Sequence, residues 1–243
     1  MSDAWPAGGV DPLLEELQEA YLPHLSQMDV AGLVNDPRLG QMAVVSSFGT
    51  DSIVLLHIMQ RMRPGLPVLF LDSLKHFPET LDYVERVSRV LDLNLVRIAP
   101  DPSLLADEDA AGDLWASNPD GCCRIRKVIP LQDALAPYDS WISGRKRFQA
   151  KTRATIPLLE RDGAKIKLNP LAMWTQADLN DYMRRHALPT HPLVAQGYLS
   201  IGCAPCTRPV AHGDDPRAGR WAHSPDKTEC GIHLGPDGKF RRG

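Results

Sequence analysis

Five cysteines stand in three settings along the 243 residues: Gly121-Cys122-Cys123, Gly202-Cys203-Ala204-Pro205-Cys206, and Lys227-Thr228-Glu229-Cys230-Gly231-Ile232-His233. The first two supply four thiols set among Gly, Pro and charge rather than on an apolar face, which suits a metal centre assembled from two segments. Adjacent thiolates strain the backbone around one small tetrahedral ion, whereas a four-iron cube offers each sulfur its own iron. An iron–sulfur cluster fits that spacing; zinc, which more usually shows Cys-x-x-Cys twice, stays open beside it. Cys230 stands apart. A free thiol is only about 3% thiolate at pH 7, so a nucleophile here requires nearby positive charge. Lys227 and His233 flank it, and Arg217 and Arg220 are close in sequence.

Charge is divided along the chain. The net charge of −3 conceals an acidic first half, with 7 Lys/Arg against 19 Asp/Glu in residues 1–120, and a basic second half, with 20 against 11 in residues 121–243. Arg124, Arg126, Lys127, Arg145, Lys146, Arg147, Lys151 and Arg153 crowd around the first cysteines and a glycine. A small, highly charged anion suits this better than nucleic acid, which calls for a strongly basic domain. An acceptor for such an anion precedes them. Ser46-Ser47-Phe48-Gly49-Thr50-Asp51-Ser52 joins an apolar run to a helical one, so free N–H groups, hydroxyls and a glycine meet where a helix begins. No Gly-Lys-Ser/Thr follows, which excludes a Walker loop. A second polar cluster, Leu71-Asp72-Ser73-Leu74-Lys75-His76-Phe77-Pro78-Glu79-Thr80, is expected to open on the same edge.

The elements that must hold these loops alternate. Met42–Ser46, Pro67–Leu71 and Asn94–Ile98 read as strands, Ser52–Arg61 and Pro78–Leu91 as helices, and Trp141–Ser143 and Lys165–Leu168 as two further strands. That pattern implies an α/β fold, a parallel sheet with helices on both faces. Asp11-Pro12 starts a helix, Asp101–Asp120 reads as a partly helical acidic connector, and Thr175–Asp178 opens a helix through His186 with a capping-box signature. Regular periodicity fades after Pro189. The division expected is a nucleotide-binding domain over 1–211 that carries the cysteine pairs, then a mobile segment over 212–243 that carries Cys230.

Composition excludes other classes. With 43% apolar and 23% charged residues, 18 Gly and 21 Pro, the chain is neither disordered nor collagenous. Its longest apolar stretch, Leu66–Leu71, is far too short for a bilayer, and Met1–Pro6 lacks a signal peptide's basic and apolar regions, so a cytoplasmic location is expected. An odd number of cysteines in a reducing compartment points to metal binding or catalysis before disulfides.

The Ser46–Ser52 loop resembles the Ser-Gly-Gly-x-Asp-Ser loop of the adenine-nucleotide hydrolase-like (PP-loop, Rossmann-like) superfamily, with Phe48 replacing its first glycine. Adding Leu71–Thr80, Cys122-Cys123 with Arg126-Lys127, Trp141-Ile142-Ser143-Gly144-Arg145 through Arg153, Gly197–Thr207, Gly219-Arg220-Trp221 and Glu229–His233, residues 40–235 look like the assimilatory phosphoadenylyl/adenylyl-sulfate reductase family. The resemblance implies a three-layer fold and the 4Fe-4S branch, with Cys122, Cys123, Cys203 and Cys206 as cluster ligands. It implies thioredoxin-dependent reduction of adenosine 5′-phosphosulfate to sulfite and AMP through a sulfonate on Cys230, with no nucleic-acid or membrane partner and a possible homo-oligomer. Motif match carries Ser47, Gly49, Asp51 and Ser52 to the nucleotide pocket, Leu71 to the adenine, and Lys127, Arg153, Arg217, Arg220 and His233 to the anion. Leu74 stands where this family usually has glycine. Two rivals are an ATP-using thiolation enzyme, against which Phe48 and Glu-Cys-Gly-Ile-His argue, and a zinc-stabilised binding module that would not need Cys230.

Overall fold

The computed structural model describes residues 11–22, 30–211, 213–224, 227 and 229–232. The Asp11 carboxylate accepts from Leu14 N–H and Pro12 follows, which fixes the start of α1 (Pro12–Tyr21); α2 (Val30–Val34) comes next. Strand and helix then alternate through β1 (Met42–Ser46), α3 (Ser52–Met62), β2 (Pro67–Leu71), α4 (Pro78–Val90) and β3 (Asn94–Ile98). The acidic connector forms α5 (Pro102–Glu108), α6 (Leu114–Ser117) and α7 (Pro119–Cys123). A π-helical turn over Arg124–Val128 leads into α8 (Ile129–Leu135), followed by β4 (Ser140–Ser143), β5 (Leu159–Asp162), β6 (Lys165–Leu168) and α9 (Gln176–Arg185). Thr175 and Asp178 close the expected capping box at α9.

The strands form one sheet in the order β3-β2-β1-β4-β6-β5, parallel except where β5 runs against β6. All five residues of β1 are buried, as befits a strand covered on both faces. On one face Ile53, Leu56, Val84 and Leu179 pack on Val44, Phe70, Ile142 and Leu168; on the other, Leu131 and Leu135 of α8 pack on Ala43, Leu69 and Trp141. The α/β class is as the sequence implies. Because β1 has β2 on one side and β4 on the other, the order reverses there, and loops leaving the two strands' carboxyl ends part to leave a crevice.

Two stretches differ from the sequence reading. Glu160, Arg161 and Asp162 give β5 no apolar pattern, so it had no strand signature; the turn at Gly163, with φ +62°, pairs it with β6. Residues 121–135 carry no element signature in the sequence, yet they are helical throughout. Pro130 has no N–H to give to a helical ladder, and the π turn before it is where the ladder changes register. No helix among the described residues is long and apolar enough to cross a membrane.

Candidate active site

β1 delivers the first loop to the crevice. The Ser46 hydroxyl accepts from Phe48 N–H at 3.2 Å, and Phe48 takes a left-handed φ of +48° with its fully buried ring edge-on to Phe70 at 5.4 Å. That turn brings Ser47 and Gly49 to the start of α3, where helix N–H groups lack partners of their own. A Cβ built on Gly49 would stand 3.6 Å from Ser47 Oγ and 3.9 Å from Ser52 Oγ, so the missing side chain leaves the space between the two hydroxyls open. Asp51 accepts from Lys146 Nζ at 3.4 Å and from Gln176 Nε2 at 3.5 Å.

The crevice is a cleft of about 180 Å³. Ser47, Gly49, Asp51, Ser52, Leu71, Lys127, Arg153, Arg217, Arg220 and Cys230 all line it. His233 lies outside the described residues. Trp221 and Glu229, which stand in the motifs but carry no role from sequence, line the cleft as well, as does Lys146, which from sequence shares with Arg145 and Arg147 the capacity to hold an extra phosphate.

The chain beyond Pro209 reaches the cleft through a short antiparallel contact. Thr207 bridges Arg220, Arg208 N–H donates to Gly219 O at 2.8 Å, and Trp221 N–H donates to Cys206 O at 2.9 Å. Arg220 then lies over the Trp221 ring at 4.4 Å. Gly202 makes room for it: a Cβ there would fall 2.3 Å from Arg220 Nη2. Arg153 grips Glu229 with two parallel bonds of 2.6 and 2.7 Å, and Arg217 approaches the same carboxylate at 3.6 Å. Burial alone would push the Glu229 carboxyl up, but the Arg153 guanidinium, with Arg217 and Arg220, outweighs it and holds it below the usual range. Burial and the neighbouring Arg153 pull Arg217 down to about 10 against the opposing Glu229.

Cys122, Cys123, Cys203 and Cys206 line a second cavity, which shares Lys127, Arg220 and Trp221 with the cleft. All four thiols are free and buried, and Cys230 packs beside Cys203, Cys206 and Trp221. Among the described residues no three His, Cys, Asp or Glu side chains gather as ligands for one metal ion. Burial pushes the Cys122, Cys123 and Cys206 thiols up to about 11. Cys203 is also pushed up by burial, yet Lys127 and a 3.1 Å contact with Ser73 Oγ bring it below the ordinary thiol range.

The second loop serves this cavity more than the cleft. Leu71 and His76 line the cleft, but Ser73 O accepts from Arg126, Lys75 O accepts from Ala204 N–H, and Arg126 is in turn held by the buried Asp109. Both loops do open on one edge of the sheet. Taken together, a hydroxyl-rich helix start, several cations and a thiol in one small cleft suit a compact polyanion and a nucleophilic thiol.

Residues 41–209 match the model of the phosphoadenosine phosphosulfate reductase domain family. The chain is 55% identical to the adenosine 5′-phosphosulfate reductase of Mesorhizobium japonicum over 94% of its length and 87% of that protein. It is 41% identical to the enzyme of the same name from Mycolicibacterium smegmatis over 91% of its length and 95% of that protein. The crystal structure of phosphoadenylyl-sulfate reductase from Candida auris superposes with a TM-score of 0.68 at 27% identity, covering 82% of this chain and 98% of that one. An FMN adenylyltransferase from Candida glabrata shares the fold alone, with a TM-score of 0.56 at 18% identity over 82% of this chain and 74% of that one.

Proposed function

The chain belongs to the phosphoadenosine phosphosulfate reductase domain family, and from that premise we propose that it reduces adenosine 5′-phosphosulfate to sulfite and AMP, with thioredoxin as reductant, in sulfate assimilation. The observation that carries the proposal is that Cys230 shares one cleft with the Ser47–Ser52 cradle and with Lys127, Arg153, Arg217 and Arg220. A thiolate approaching an anionic phosphosulfate meets repulsion of about 4 kcal/mol per charge pair at about 4 Å and an effective dielectric constant near 20, so convergent cations are what the reaction requires.

In the first step the Cys230 thiolate attacks the sulfate sulfur. A sulfur–sulfur bond forms, the bond from sulfur to the bridging phosphate oxygen breaks, and AMP leaves with that electron pair. A thiolate of reduced thioredoxin then attacks Cys230 Sγ and releases sulfite; its second thiol resolves the mixed disulfide, so one dithiol supplies both electrons. AMP is a good leaving group, so no general acid is required. Glu229, which neighbours Cys230, occupies Arg153 and Arg217, and bound phosphosulfate would take over those contacts.

Cys122, Cys123, Cys203 and Cys206 are proposed to hold a 4Fe-4S cluster. Four free thiols lining one cavity support that reading, and the adjacency of Cys122 and Cys123 favours separate irons over one shared small ion. When bound, the cluster would tune the field of the site rather than supply the electrons, with Lys127 beside it reaching the cleft. The test is thioredoxin-dependent sulfite release from anaerobically prepared protein, comparing kcat/KM for the nucleotide with and without a 3′-phosphate. A large preference for the form without it is expected, as is loss of turnover in Cys230→Ser with iron content unchanged. Sulfite release by Cys230→Ser at the native rate would refute the mechanism.

A further inference from the structure

Lys146 is 3% exposed and lines the cleft. Among the described residues its ammonium makes one hydrogen bond, the 3.4 Å contact with Asp51 Oδ2. An ammonium carries three donors, and a buried charge with so little compensation is destabilising unless another partner is supplied. Of the other cations of the cleft wall, Arg153 clamps Glu229 and Arg145 is held by Glu160 and Asn169, while Arg220 lies against Trp221 and donates to Ile201 O with its buried Nε unpartnered, and Lys127 stands among Cys203, Cys123 and Cys230. Those on Glu229 and Trp221 also belong to the Cys230 end, whereas Lys146 is tied through Asp51 to the first turn of α3. Burial holds the Lys146 ammonium below the usual lysine range, against the pull of Asp51.

We propose that Lys146 anchors the phosphate of the bound nucleotide, its ammonium shared between Asp51 and a phosphate oxygen seated on the Ser47–Ser52 loop. The inference rests on reading the cleft as a nucleotide site. It divides the anion's charge between two places, the phosphate on Lys146 and the helix start, the sulfate on the arginines and Lys127 beside Cys230. Lys146 is thereby a binding residue that meets the leaving group.

Binding of AMP and of adenosine to the full chain, prepared anaerobically and followed by titration calorimetry, tests this. The native protein holds AMP more tightly than adenosine. Lys146→Met weakens AMP by about ten- to a hundredfold, the usual weight of a charge-assisted bond, and leaves adenosine unchanged. Lys146→Arg, which keeps the buried charge and guards against misfolding, retains most of the preference. The double variant Lys146→Met with Asp51→Asn stays weak for AMP. Recovery of native AMP affinity in the double variant overturns the proposal, because the lysine would then act only by neutralising Asp51. Equal losses for AMP and adenosine overturn it too, assigning Lys146 to scaffolding. A native protein that holds AMP no more tightly than adenosine refutes the nucleotide reading of the cleft itself, an outcome distinguished by needing no variant.

Discussion

The two loops at the carboxyl edge of the sheet meet the same backbone problem with opposite side chains. After β1, Phe48 sits at φ +48° and is fully buried; after β2, Leu74 sits at φ +58° and is 55% exposed. Both are positions where the sequence departs from a glycine, and a left-handed conformation costs an L-residue about 1–2 kcal/mol. At Phe48 the ring's burial against Phe70 offsets that strain. Nothing comparable shields Leu74, whose loop is instead secured from behind, by Arg126 donating to the Ser73 carbonyl while the Asp109 carboxylate holds the guanidinium. Strain in a binding loop is thus tolerated in two ways, by anchoring the strained residue itself or by anchoring its neighbours.

Each anchor can be removed. Asp109→Asn strips a buried guanidinium of its partner and should destabilise the chain by about 3–5 kcal/mol in denaturant unfolding; a loss under about 1 kcal/mol would show that the second loop has another support. Burial pushes the Asp109 carboxyl up, but the Leu114 N–H and the Arg126 guanidinium hold it below the usual range. Its contribution is therefore complete above the unfolded carboxylate pKa of about 4 and fades as pH falls below that value. Thermal unfolding between about pH 5 and 2 should lose stability more steeply in the native chain than in Asp109→Asn.

Phe48→Gly relieves the strain yet deletes a buried ring, so a net loss of about 2–3 kcal/mol is expected in the same unfolding assay. A gain would mean that burial does not offset the strain. Leu74→Gly removes little buried surface, and here the released strain should slightly exceed the chain entropy of a new glycine, raising stability by about 0.5–1 kcal/mol. Destabilisation by Leu74→Gly would overturn the contrast between the loops.

The contrast also marks where the sequence was readable. Val44, Val45, Leu69 and Phe70 announce buried parallel strands because both faces of the sheet are covered, and the cradle is legible since hydroxyls and a glycine fall at a strand-to-helix junction. β5 was not legible, because three of its four residues are charged and only a turn and a neighbour make it a strand. The cysteines could be listed from sequence, but their meeting around one cavity depends on long-range contacts with no periodic signature: Arg126 donating to Ser73 O, Ser73 Oγ meeting Cys203 Sγ, and Ala204 N–H donating to Lys75 O. From sequence Lys146 is interchangeable with Arg145 and Arg147 as a cation able to hold an extra phosphate; what separates it from Arg147 is that the fold buries it against Asp51 and sends Arg147 to the Ile156 carbonyl.

The bridge between Thr207 and Arg220 bears on how the protein is made. The cradle comes from residues 46–52, while Arg217, Arg220 and Cys230 come from the far end of the chain. Closing contacts so distant in sequence is slow relative to local structure. A chain emerging from the ribosome completes the sheet edge long before it possesses its thiol or arginines. The reactive centre is thus assembled last, and a truncated product carries the cradle, Lys127, Lys146 and Arg153 but no nucleophile.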